Sequence, residues 1–423
     1  MGALSILEGK NRFLNVRVLF LNQTFYPDVA STSQYASDLA AALVDRGHDV
    51  TVVCSRRAYD NPGERYPPRE TWRGVEIRRI SNFGFGKKTR WRRAADFGSY
   101  IVNCTLHLVA LRRFDVVVGM TSPPLISWLG AHFARIKGGR FAFWVMDLNP
   151  DEAVAAGWLR QGSRTTKFLQ AILRQSLHAA AVVIVLDRFM AKLIEEKGID
   201  AGRIVTVPPW SHDDAVRYDA EGRDDFRTKH GLNGKFVVMY SGNHSPCHPL
   251  ATLLEAARKL RDRGDIAFCF AGGGSEFETV RQFVARHGLT NIVIVPYQPL
   301  NKLAASLSSA DLHTVVMGDP FVGIVHPCKV YNIRALGIPY LYIGPEQSHV
   351  TELAPAFSAI HGDVDAVAKH IETAATRATA PARTPESVRT SERLLGQMVS
   401  VLEDAAGAVA GRKIVQPERS PQF

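Results

Sequence analysis

Residues 236–260 read FVVMYSGNHSPCHPLATLLEAARKL. The apolar run at 236–239 has the pattern of a buried strand, and 250–260 repeats its leucines and alanines at helical spacing. Between them stand His244 and His248, Cys247, Pro246 and Pro249, and Gly242. A strand that feeds a helix through a short polar loop is half of a β-α-β unit. Such loops are where open parallel sheets bind ligands. On composition alone the loop suits a metal ion, a reactive thiol or a phosphate.

The same alternation runs in both directions from this stretch. Upstream, VRVLFLN (16–22) precedes a helical run that Gly47 ends, and DVTVVCS (49–55) follows. FDVVVGM (114–120), LISWLGAHFARIKG (125–138) and RFAFWVMD (140–147) repeat the unit, as do AAVVIVLD (180–187), RFMAKLIEEKG (188–198) and RIVTVP (203–208). Downstream come IAFCFAGGG (266–274), IVIVPY (292–297), LHTVVM (312–317) and PYLYIG (339–344). Apolar strands alternating with helices predict an α/β fold whose parallel sheets are covered on both faces. The polar run SHDDAVRYDAEGRDDFRTKHGLNG (211–234) has few large apolar residues and is expected to be a linker. The expected division is a Rossmann-like domain over 1–210 and a second over 211–385, then a final helix over 386–411 that packs back toward the first domain and a frayed tail over 412–423.

The chain has 423 residues and is 46% hydrophobic, which suits two or three ordinary domains and excludes global disorder. Its formal net charge of +10 suits an anionic partner or simply a basic enzyme surface. Lys87, Lys88, Arg90, Arg92 and Arg93 cluster around Trp91, just after Phe83 and Phe85, and an apolar helical stretch follows as far as Arg112 and Arg113. That combination suits peripheral contact with an anionic bilayer, or a solvated basic loop before a core helix. The cluster is single and no recognition motif accompanies it, so nucleic acid is not an expected partner. No apolar run reaches the ~18 residues of a membrane-spanning helix, and the N-terminus lacks the order of a signal peptide. Cys54, Cys104, Cys247, Cys269 and Cys328 are odd in number and none pair as C-x-x-C, so a reducing compartment is expected. The expected location is the cytoplasm, at the inner face of the cell membrane.

Candidate site residues sit just after the strands. Gly272, Gly273 and Gly274 end a strand before a helix, where backbone can approach an anion; a tight turn without a ligand has the same pattern. HPCKVYNIRALG (326–337) places Lys329 near a helix start, which suits a diphosphate or a solvated surface lysine. Tyr297 and Gln298 lead from a strand into a helix and can border a nucleobase. In the first half, the loop from Tyr26 through Ser33 and Gln34 follows the first strand, and Asp147 is the first carboxylate beyond RFAFWVM, with Glu152 close behind.

The ordered set FYPDVASTSQYASDLAAALVDRGHDVTVVCS, TSPPL, MDLNPDE, YSGNHSPCHPLATLLEAARKL, FAGGGSE, VPYQP and PCKVYNIRALGIPYLYIG resembles the retaining glycosyltransferases of family 4, over roughly residues 15 to 385. The resemblance is strongest to the branch that builds bacterial surface polysaccharides, which often carries Pro-Ser-Lys where this chain has Pro327, Cys328 and Lys329. It implies a GT-B fold, two Rossmann-like domains facing a central cleft, and no obligatory cofactor. It places the donor nucleotide-sugar on Gly242, Asn243, His244, the three glycines, Tyr297, Gln298, Pro327, Cys328, Tyr331 and Asn332. Asp147, Lys329 and His248 are its catalytic candidates, and Tyr26, Ser33, Gln34 and Glu152 lie on the acceptor side. The metal reading of the opening loop gives way to a phosphate reading, with no metal expected.

Two departures matter. Relatives often carry an arginine after the loop glycine and a lysine near the next helix, where this chain has Asn243 and His248. A histidine there brings charge only when protonated. Relatives also carry a pair of glutamates, at places that fall on Ile324 and Asn332 here. The implied activity is transfer of a sugar to a hydroxyl acceptor, expected to be a lipid-linked saccharide or glycolipid. The alternatives are a GT-B nucleotide-sugar epimerase and a non-catalytic sugar-nucleotide-binding protein.

Overall fold

The computed structural model describes residues 15–28, 30–58, 63–84, 90–211, 216–377 and 386–407. The first sheet contains β1 (Arg17–Leu21), β2 (Asp49–Ser55), β3 (Arg69–Trp72), β4 (Val75–Ile80), β5 (Val116–Gly119), β6 (Arg140–Trp144), β7 (Val182–Val185) and β8 (Ile204–Thr206). Their spatial order is β3-β4-β2-β1-β5-β6-β7-β8. Helices cover both faces, so its central strands read as unbroken apolar runs; Val18 to Leu21 and Val182 to Val185 are all buried. The pair β3–β4 is the antiparallel exception. Its strands, RETW and VEIRRI, mix charged with apolar residues because this edge has a solvent side.

The second sheet contains β9 (Phe236–Asn243), β10 (Ile266–Gly273), β11 (Ile292–Pro296), β12 (Leu312–Val316), β13 (Tyr340–Ile343) and β14 (Phe357–Ala359), in the order β11-β10-β9-β12-β13-β14. All its neighbours are parallel. The chain runs outward from β9 in one direction and from β12 in the other. The gap beyond the ends of β9 and β12 is therefore a topological switch point, where α/β sheets open a binding crevice. The first sheet has its own switch between β1 and β5, closed by the bond from Gln23 N to Ser122 O at 2.7 Å.

Residues 211–234 are more than a linker, which corrects the sequence reading. Ala220–Lys229 is a helix capped by Asp219, and Phe226 is buried under the second sheet. The polar composition misleads because the charges are paired. Asp311 accepts from Arg223 at 2.6 Å, from Arg227 at 2.5 Å and from the Val237 N–H at 2.8 Å.

The helix Glu386–Gly407 lies against the first domain. Leu394, Met398, Val399, Leu402 and Ala405 join the core beneath the first sheet. Each large side chain buried this way contributes about 1.5–3 kcal/mol. His48 Nδ1 accepts from Val16 N, so Nε2 carries the hydrogen and donates to Glu403 at 2.9 Å.

Candidate active site

The opening loop sits at the switch point of the second sheet. Gly318 N donates to Cys247 O at 2.9 Å, and His248 Nδ1 donates to Val316 O at 2.7 Å, so the loop is stitched to the end of β12. Gly242 has φ 131°, and a Cβ there would stand 3.0 Å from the Lys329 ammonium. Gly274 is fixed by packing: a Cβ would stand 2.3 Å from His244 O. The triple glycine thus serves first to bring two strand ends together.

Lys329 opens the helix Lys329–Ala335. Its ammonium is buried without a hydrogen-bond partner and lies 3.7 Å from the centre of the Tyr240 ring. The ring's negative face attracts the cation, but among the described residues no anion pairs with it. Burial pushes its pKa down to about 7. Tyr240 carries no signal in sequence, because a strand-end aromatic looks like core.

The structure corrects the cationic role expected of His248. Burial, and then the charge of Lys329, push its pKa down to about 3. With Nδ1 committed to Val316 O, the ring is neutral at physiological pH. His244 likewise points inward. Its ring packs edge-on against Tyr240 and Phe277, its Nδ1 donates to Gly242 O at 3.0 Å, and its pKa falls to about 4. Its backbone N–H donates to Gly273 O and its O accepts from Glu276 N, so the N–H is not free for a donor. Tyr331, assigned to the donor by resemblance, spends its hydroxyl on His326 Nε2 at 2.9 Å. The Cys328 thiol donates to His326 O, and Gln298 Nε2 turns back to Pro296 O. Asn243 and Tyr297 are exposed beside the glycine turn, while Pro327 is buried and Asn332 half-buried. The Tyr297 hydroxyl donates to Gly273 O at 3.2 Å.

Across the cleft, Asp147 is half-buried just beyond β6. The next residue, Leu148, donates its N–H to Ile324 O in the second domain at 2.8 Å. Ile324 occupies one of the two expected glutamate places, and its contribution is this backbone bridge. Glu152 accepts from Asn149 Nδ2 at 3.1 Å and from the Cys247 thiol at 3.6 Å, another contact between domains. Burial, and then the neighbouring Glu152, push the Asp147 pKa up to about 8; burial also raises Glu152. Near neutral pH this pair therefore retains a proton, as two close carboxyls sharing a desolvated site do.

The other acceptor-side residues divide. Tyr26 stacks on Trp72 with ring centres 4.4 Å apart. Ser33 is fully buried in the first turn of the helix Ser31–Asp45, so it lines no surface; Gln34, beside it, is half-buried. The basic cluster at 87–93 lies largely outside the described residues and side chains. No described helix is long and apolar enough to cross a membrane. Among the described residues, His244, Cys247 and His248 form no ligand set. The group that does bring metal-ligating atoms together is Asp187, His326 and His349, whose scattered positions give no motif.

A family profile described as a glycosyl transferase 4-like domain matches residues 32–210. The chain is 25% identical, over 82% of its length and 87% of the relative's, to WcaI of Escherichia coli, named for glycosyl transfer in colanic acid biosynthesis. Anabaena Alr3699/HepE, crystallised with UDP-glucose, superposes with a TM-score of 0.63 at 14% identity, covering 91% of this chain and 100% of that one. WaaG, a glycosyltransferase involved in lipopolysaccharide biosynthesis, gives a TM-score of 0.62 at 15% identity over 93% of this chain and 100% of its own. The switch-point loops, the two facing sheets and these likenesses agree: residues 32–210 match a glycosyl transferase 4-like domain, the chain has the GT-B fold, and it resembles the surface-polysaccharide branch of glycosyltransferase family 4.

Proposed function

We propose that the protein transfers a sugar, with retention, from a nucleoside-diphosphate sugar to a hydroxyl of a lipid-linked saccharide or glycolipid in bacterial surface-polysaccharide synthesis. The observation that carries this reading is the buried, unpaired ammonium of Lys329 at the switch point, facing space that Gly242 keeps clear. A desolvated cation without a counter-ion is costly, and a diphosphate is the anion that this loop architecture suits. Lys329 would stabilise the charge that develops on the departing diphosphate. Asp147 and Glu152, which together retain a proton near neutral pH, stand in the opposite domain, where the carboxyl left ionised would orient the acceptor hydroxyl and accept its proton late. No metal has a step in this scheme, so activity should persist in a chelator.

Membrane contact belongs to the same proposal. Val102, Leu106 and Val109 share one face of the helix Arg90–Val109, and Leu106 and Val109 are 67% and 70% exposed. Ile136 on the neighbouring helix is 79% exposed, and Lys137 Nζ donates to Val109 O. Exposed Arg112 and Arg113 follow. An apolar stripe rimmed by cations suits an anionic bilayer surface.

The test is a thermal-shift and calorimetric screen of UDP-, GDP-, ADP- and TDP-sugars, followed by product analysis with acceptor lipids. Binding of one nucleotide class, with transfer only in the presence of acceptor, supports the reading. Epimerised sugar formed without acceptor supports the epimerase instead. Binding without turnover across the acceptors supports a non-catalytic role.

A further inference from the structure

Apart from the face of the Tyr240 ring, the Lys329 ammonium has no side-chain partner among the described residues, so the course of its backbone largely sets where it stands. That backbone is held at both ends. His326 Nδ1 bonds Asp187 Oδ2 at 2.6 Å, and His326 Nε2 bonds the Tyr331 hydroxyl at 2.9 Å. An ionised carboxylate only accepts, so Nδ1 carries the hydrogen that bonds Asp187, and Nε2 pairs with the Tyr331 hydroxyl. The rings of His326 and Tyr331 are stacked within 5° of parallel. Between these two anchors the chain turns through Val330 N to Pro327 O and Tyr331 N to Cys328 O, and Lys329 leaves from the turn.

The anchor itself is rigid and lies in the other domain. Asp187 ends the loop after β7, and its second oxygen caps the helix Arg188–Glu196 by accepting from Met190 N at 2.8 Å. The same carboxylate therefore locks a helix of the first domain and holds the segment of the second that carries Lys329. His349 does not make this a metal site. Its ring lies 3.6 Å from that of His326, with 15° between their planes. A metal lies near the plane of each imidazole it binds, and two stacked rings cannot share one.

We propose that Asp187 is a positioning residue for Lys329: through His326 and Tyr331 it clamps the Pro327–Cys328–Lys329 turn, and so couples the approach of the two domains to placement of the ammonium at the diphosphate. This rests on the reading of Lys329 as the diphosphate's counter-charge. It gives the nucleotide domain a means of registering that the acceptor domain is in place.

The experiment is a double-mutant cycle on the dissociation constant for UDP-glucose, or for whichever nucleotide-sugar the screen selects. Asp187→Ser keeps a side chain able to cap the helix but is too short to reach His326. It is expected to weaken binding about tenfold in the wild-type background and less than twofold in a Lys329→Met background, the non-additivity of residues acting through one another. His326→Phe, which keeps the ring stack and volume, repeats the cycle should Asp187→Ser fail to fold. Equal losses in both backgrounds, or no loss in the wild type, overturn the proposal while leaving Lys329 in place. Unchanged binding in Lys329→Met alone removes the counter-charge reading instead. Stoichiometric zinc binding that is lost in His349→Ala also overturns it, since the metal would then occupy the clamp.

Discussion

Donor affinity should depend on pH through Lys329. Burial holds the amine's pKa near 7 in the free protein. A diphosphate beside it favours the charged form, so the pKa in the complex is higher. The sign follows from linkage: below about 7 the ammonium is already present and affinity is full, and affinity falls as pH rises from there toward the bound-state pKa. At about pH 8 roughly one tenth of the free protein carries the charge. The apparent dissociation constant then rises roughly tenfold above its low-pH plateau, about 1.4 kcal/mol. UDP-glucose is the first probe. Its diphosphate is esterified at both ends and has no ionisation near neutrality, whereas the terminal phosphate of UDP titrates near ~6. Calorimetry in two buffers of different ionisation enthalpy gives both the affinity and the protons taken up. Lys329→Met, which keeps an apolar stem over Tyr240, should abolish the uptake and flatten the profile. An affinity constant within twofold from about pH 6 to about pH 8.5, with no proton uptake, refutes the reasoning.

Asp147→Asn should lower kcat by about 10²-fold or more with donor affinity within twofold, because its work is on the acceptor side; unchanged turnover at saturation removes Asp147 from the mechanism. The same variant should melt higher than wild type near pH 9 and equally near pH 4. A carboxyl whose folded pKa is raised to about 8 contributes stability that is lost as pH rises from its unfolded value through that point. Asp311→Ala strands Arg223 and Arg227 and should cost about 2–4 kcal/mol in urea unfolding, somewhat below a fully buried pair because the three groups keep some solvent contact; a loss under ~1 kcal/mol counts against the network. Leu106→Asp with Val109→Asp should reduce sedimentation with anionic vesicles while donor binding survives, and equal sedimentation of the two proteins would sink the membrane reading.

Periodicity reported the two sheets well, because parallel strands buried on both faces leave continuous apolar runs. It failed where burial is one-sided or polar. The β3–β4 edge alternates charge with Val75 and Ile77, and Ala220–Lys229 hides Phe226 behind paired arginines. The positions of Lys329 and Asp147 in loops beyond the strands were legible, since strand ends and residue type suffice to pick them out as candidates. Their ionisation was not. His248 and Lys329 are an ordinary histidine and lysine in sequence, and only burial shows the first to be neutral near physiological pH and the second poised. Asp187, His326 and His349 come from three separate segments, so no spacing rule joins them.

The departures from the family pattern and the state of Lys329 are physically connected. Relatives often hold an arginine where this chain has Asn243, and glutamates where it has Ile324 and Asn332. A carboxylate near Lys329 would keep its ammonium charged in the empty site. Desolvation dominates here, and its pKa falls to about 7. With His244 and His248 neutral, one lysine among the described residues of this loop would supply the charge beneath a bound diphosphate on the proposed reading, and the donor itself would recruit the proton. The leaving diphosphate gains negative charge as the sugar bond breaks, so the ammonium interacts more strongly with the transition state than with the intact donor. One desolvated cation can then do more than several solvated ones, because in a closed cleft each charge is screened less. On this argument the missing carboxylates move the counter-charge from the protein to the substrate, and they leave leaving-group stabilisation intact.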